Sequence, residues 1–175
     1  EYLEIEDDWE NLYGIPYRVS RETYLQSFQY KIINRFFPCN YALSKWYKDH
    51  SPQCNHCNNT DHLEHYFYNC DHVKPFFCSL ERWWLSTLEV SIKLNEKYVL
   101  LGIPNPNDDM FIDIFNLCIL YAKWYIYQCK LSNQKLFIID YIKLVKEKLT
   151  IEKARCKIKN SKDFENRWAI LFHLL

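Results

Sequence analysis

Glycine is almost missing from this chain: there are 2 in 175 residues, beside 6 prolines. An all-β sandwich or barrel needs many tight turns, so that class is excluded. With Gly14 and Gly102 alone, no Gly-rich loop can cradle a phosphate. Net charge is lacking too, because 22 basic and 22 acidic residues cancel. No global field therefore draws the chain towards nucleic acid. No apolar run reaches membrane-spanning length. The longest, Met110 to Cys129, is interrupted by Asp113, Asn116, Lys123 and Gln128 and reads as a buried helix. No basic-then-apolar leader is seen, so the eight cysteines are not expected to form the disulfides of a secreted protein. By the same reasoning the Asn58-Asn59-Thr60 sequon is taken as chance.

Apolar residues make up 49% of the chain and aromatics 18%, too many for a disordered segment. Their spacing predicts a mainly α fold. Leu25, Phe28, Ile32 and Phe36 share one face of a helix over 21–37, with Ser20 as cap and Pro38 as stop. Further helices are expected over 41–48, from Pro75 to about Leu88, over 110–130, over 136–158 and over 162–175 with Ser161 as cap. Lys97 to Ile103 is the best candidate for a short strand, leaving room for one strand pair. The organisation is an N-terminal helical segment (1–50), a metal motif (51–72) and a C-terminal helical segment (73–175), together one compact unit. Charge is uneven along it. Glu1, Glu4, Glu6, Asp7, Asp8 and Glu10 open the chain, whereas bases crowd the last third.

One segment is dense in Cys, His and Asn. It reads Cys54-x2-Cys57-x7-His65-x4-Cys70. A Cys-x2-Cys turn presents two thiolates to one ion, and Zn2+ favours four such ligands in a tetrahedron. Asn58-Asn59-Thr60-Asp61 supplies the turn chemistry that a tight loop needs. Four protein ligands leave no open position, so a structural Zn2+ is expected and no catalytic one. His62 would give the opening of a retroviral-type knuckle, but that knuckle needs Cys where Phe67 stands; His65 keeps the spacing to Cys70. His56, His62 and His72 are left as surface or supporting histidines. His62-Leu63-Glu64-His65 has neither zinc-protease spacing, and the deaminase order of His-x-Glu before Cys-x2-Cys is reversed. Cys39, Cys78, Cys118, Cys129 and Cys156 are read as small buried hydrophobes.

Aromatics beside bases recur, as in Lys45-Trp46-Tyr47-Lys48, Arg82-Trp83-Trp84, Lys123-Trp124-Tyr125 and Arg167-Trp168. Such pairs can stack bases and hold phosphates. Core packing is the simpler reading for Trp83, Trp84, Trp124 and Trp168, while Trp46 stays open.

The motif and its flanks resemble the region downstream of the polymerase in non-LTR (LINE-type) retrotransposon reverse transcriptases. Ser27 to Arg35 is similar to the helix before the zinc motif there, and VKPFFCSLERWW to the helix after it. Leu100-Leu101-Gly102-Ile103 and AKWYIYQCK from Ala122 resemble later landmarks. The similarity runs from about Trp9 to Trp168. It implies a non-catalytic part in target-primed reverse transcription. Its partners would be template RNA or target DNA and the polymerase domain of the same polypeptide, with no membrane and no small-molecule substrate. The setting implied is intracellular, in nucleus and cytoplasm. The polymerase signature is absent from this segment. Candidate nucleic-acid contacts are Lys45, Lys48, Lys153, Arg155, Lys157 and Lys159. The alternative is a module that docks on the polymerase thumb without touching nucleic acid.

Overall fold

The computed structural model describes residues 9–175, and the acidic run before Trp9 lies outside them. Nine helices and one π-helical turn follow in order among the described residues. They are α1 (Trp9–Val19), α2 (Thr23–Ile33), α3 (Asn40–Trp46), the π turn (His65–Asn69), α4 (Lys74–Leu88), α5 (Glu96–Leu101), α6 (Met110–Leu131), α7 (Ile138–Ile158), α8 (Asp163–Arg167) and α9 (Ala169–Leu174). The fold is mainly α, as the spacing predicts. The strand pair reduces to a single antiparallel bridge between Gln53 and Thr60.

Helix α6 is the axis. Asp109 caps it by accepting the Phe111 N–H at 2.7 Å, as the turn chemistry of 104–109 predicts. Its middle is buried all round, from Ile114 to Lys123. α1 and α2 pack on it, as does α7. Among the described residues α6 is the one helix long and apolar enough to cross a membrane, yet 67% of its most apolar stretch is buried inside the molecule.

Three expectations are corrected. Lys97 to Ile103 is helical up to Leu101, because the Asn95 side chain accepts the Tyr98 N–H at 2.8 Å and starts a turn. A short apolar run cannot by itself separate a buried helix from a buried strand. Gly102, at φ 97°, ends it. Asn116 of α6 then holds Ile103 through both amide groups, donating to its carbonyl at 2.8 Å and accepting its N–H at 2.7 Å. Second, α2 is shorter than predicted. Ser20 accepts the Glu22 N–H instead of capping the helix, and the chain turns at Arg35 with φ 57°. Phe36 therefore leaves the apolar stripe and is 63% exposed, while Phe37 is buried in its place. Third, the last predicted helix is two helices broken at Trp168, with its cap position on Lys162 and not Ser161. Phe164, Trp168 and Leu171 are nonetheless buried together. Helix α1 has no counterpart among the predicted elements, since Gly14 and Pro16 within eleven residues hide its periodicity.

Candidate metal centre

The motif folds as a knuckle followed by the π turn. In the knuckle the Cys54 N–H donates to the Asn59 carbonyl at 2.7 Å, and the Asn58 N–H to the Cys54 carbonyl at 3.0 Å. Asn58 occupies the left-handed region at φ 59°, which Asn tolerates better than most residues. The turn delivers Cys54 and Cys57 side by side, and the Asn59 amide donates to the Cys57 sulfur at 3.6 Å.

His65 and Cys70 come from the π turn, where the Cys70 N–H donates to the His65 carbonyl at 3.1 Å. In an α-helix, residues five apart point about 140° away from each other. The wider π turn brings them nearly round to one side. The sequence signal for this turn is the His-x4-Cys spacing itself, which an ordinary helix cannot satisfy. Phe67, midway along it, is fully buried and packs edge-on against Phe28 and Phe37 at 5.9 and 4.8 Å. Cys70 then opens α4, its carbonyl accepting the N–H groups of Val73 and Lys74.

Four ligand atoms result, all within 4.8 Å of one another. Cys54 Sγ and Cys57 Sγ each lie 3.8 Å from Cys70 Sγ, and Cys57 Sγ lies 3.2 Å from His65 Nε2. A tetrahedral ion with sulfur bonds of about 2.3 Å sets sulfur–sulfur edges at about 3.8 Å. A disulfide needs about 2.05 Å, and all eight cysteines are free. The group can hold one metal ion. His62, the alternative ligand, is exposed, its ring tilted against that of Tyr41 with centroids 4.1 Å apart. His56 and His72 stack face to face at 4.3 Å beside the cluster.

Burial pushes the Cys70 thiol up to about 12 and the His65 imidazole down, which favours the neutral ring that a metal ligand needs. Burial also raises Cys57, but hydrogen bonds from the Asn59 backbone and from the Cys70 and Cys54 thiols outweigh it and hold Cys57 below its ordinary value. A divalent cation bound here would favour thiolates at Cys57 and Cys70 by supplying the compensating charge.

Lys130, at the end of α6, braces the knuckle. Its ammonium donates to the Tyr66 carbonyl at 2.9 Å and lies 4.0 Å from the buried carboxylate of Asp61. Asp61 in turn accepts the Asn40 N–H at 3.2 Å, and its carbonyl accepts that of Tyr41. Neither Lys130 nor Asp61 is conspicuous in the sequence, because their pairing spans the chain from knuckle to α6.

The six candidate nucleic-acid residues fall into two groups on different elements. Lys45 and Lys48 are exposed at the end of α3, with Trp46 and Tyr47 exposed between them. Arg155, Lys157 and Lys159 are exposed near the end of α7, Arg155 lying 3.7 Å from Glu152. Lys153 is only half-buried, its ammonium 4.5 Å from the Phe172 ring and 5.6 Å from that of Phe164, and the exposed Lys45 likewise holds its ammonium 4.7 Å from the Tyr41 ring. Of the five other cysteines, Cys39, Cys118, Cys129 and Cys156 are buried as expected, but Cys78 is exposed on the outer face of α4. No protein-family model matches the chain, and no curated protein matches it.

Proposed function

We propose that this chain is a non-catalytic, Zn2+-anchored binding module that helps hold template RNA or target DNA in a LINE-type reverse transcriptase. The observation that carries the metal part is the convergence of three sulfurs and one imidazole at spacing that suits a tetrahedral ion. Zn2+ suits this set because thiolate and imidazole ligands in tetrahedral array are its commonest structural environment. With four protein ligands no position is left for substrate or activated water, so the ion's role is to fix the knuckle.

Support for nucleic-acid contact comes from the exposed bases at the two ends described above, together with the resemblance in motif and flanks. With zero net charge the binding must be local and not steered by a global field. The site of action would be inside the cell, wherever the element's RNA meets its polymerase and target. A second reading, docking on the polymerase domain, draws on the exposed apolar side chains of Phe137 and Ile139 at the start of α7.

Titration of RNA and DNA at several salt concentrations separates the two. Contact through these bases predicts affinity that falls with salt, the slope losing roughly 0.7 for each phosphate contact removed on a single strand. Absent or salt-independent binding would leave docking as the function.

A further inference from the structure

Most aromatic rings of this protein pack into the core; among those that do not are two sequence neighbours flanked by lysines. Trp46 and Tyr47 are 65% and 63% exposed, between exposed Lys45 and Lys48. They close α3, where the Tyr47 N–H donates to the Leu43 carbonyl at 2.9 Å. One turn back, Asn40 and Leu43 line a cavity of about 260 Å³ whose other walls include Asp61, Tyr66, Tyr127 and Lys130. Asp61 is 2% exposed; its Oδ1 faces the Lys130 ammonium at 4.0 Å, beyond hydrogen-bond length, and accepts no hydrogen bond. A buried carboxylate oxygen in that condition calls for a donor.

We propose that single-stranded nucleic acid crosses this edge of the molecule. One base stacks on Trp46 and Tyr47, the flanking phosphates meet Lys45 and Lys48, and the next base enters the cavity with a ring or amino N–H directed at Asp61. This rests on the nucleic-acid reading above and narrows it to one site and one strand form. Every base has a π face, so stacking on exposed rings needs no particular sequence. Lysines beside the rings hold phosphates as point charges. A duplex offers neither feature, because its bases already stack on each other and their N–H edges are paired. Cys54 also borders the cavity. The metal that fixes the knuckle therefore also fixes one wall of this site.

The test is fluorescence anisotropy with the full chain and short end-labelled oligonucleotides: single-stranded RNA, single-stranded DNA and duplex RNA. Trp46→Ala combined with Tyr47→Ala should weaken single-strand binding about tenfold or more. Trp46→Phe keeps a ring and should stay within about threefold of the parent. Lys45→Ala with Lys48→Ala should lower the salt slope by about 1.4. Thermal unfolding and metal content should match the parent in all of these, since the four side chains are exposed. The RNA and DNA arms report which sugar is preferred. A ring-free variant with parental affinity overturns this site and leaves the broader nucleic-acid reading standing. Duplex binding as tight as single-strand binding overturns the strand form. A parent that binds neither single strand overturns both readings.

Discussion

Single residues hold several parts of this structure in place, and each makes a measurable claim. Gly102 sits at φ 97°, and a Cβ built there would lie 2.8 Å from Ile15 Cδ1 and 3.1 Å from Asn116 Oδ1. Gly102→Ala therefore strains the backbone and disturbs the Asn116 clamp together. A loss of about 1–3 kcal/mol is expected by urea denaturation. Lys123 is buried on α6 and donates to the Gln29 side chain and the Leu100 carbonyl. Burial lowers it to about 7 from the ordinary 10.5. Between those values the unfolded chain binds a proton that the folded chain releases, so folding stability rises with pH through that window. Below about 7 both states are protonated, and the cost of the buried charge is then complete. Denaturation at pH 7, 8.5 and 10 should show less of this rise in Lys123→Met than in the parent. Equal slopes in the two proteins would contradict the buried ammonium.

At the scale of elements, the π turn links the candidate metal ligands His65 and Cys70 to the core. Phe67 fills the space between α2 and the knuckle, so Phe67→Ala should cost about 3–5 kcal/mol and also weaken metal retention. A chelator titration of that variant, run beside an exposed-site control such as Phe36→Ala, would separate the coupling from general damage. The long helices were legible because their apolar spacing is regular: α4, α6 and α7 begin within about two residues of the predicted positions. The ligand set was legible because Cys-x2-Cys and His-x4-Cys are local patterns. What escaped was set by distant contacts. Helix α5 depends on an Asn95 cap and on burial against the π turn and α2. The Lys130–Asp61 brace joins residues with 69 positions between their numbers, and no spacing rule reaches that far. Phe36 left the apolar stripe while Phe37 stayed buried, because one left-handed residue, Arg35, turned the chain there.

For the whole molecule, the account joins a helical core around α6 to a metal knuckle that the core braces from below. Most of the knuckle from Ser51 to Thr60 is exposed or half-buried, so an ion held by its cysteines would add to its order. Metal binding of this kind is folding energy, about 10–16 kcal/mol in isolated finger peptides. Removing one ligand with Cys57→Ser should abolish metal binding and open the knuckle, and α6 with its partners should keep most of the helical signal. Circular dichroism and metal content measured on the same sample would show the two effects apart. The measurement that bears most directly on the central claim is zinc-edge X-ray absorption on protein purified without added metal, with elemental analysis alongside. The account predicts one zinc per chain, with three sulfur neighbours near 2.3 Å and one nitrogen near 2.0 Å. No bound metal, a shell of oxygens, or thiols recovered as disulfides would contradict it.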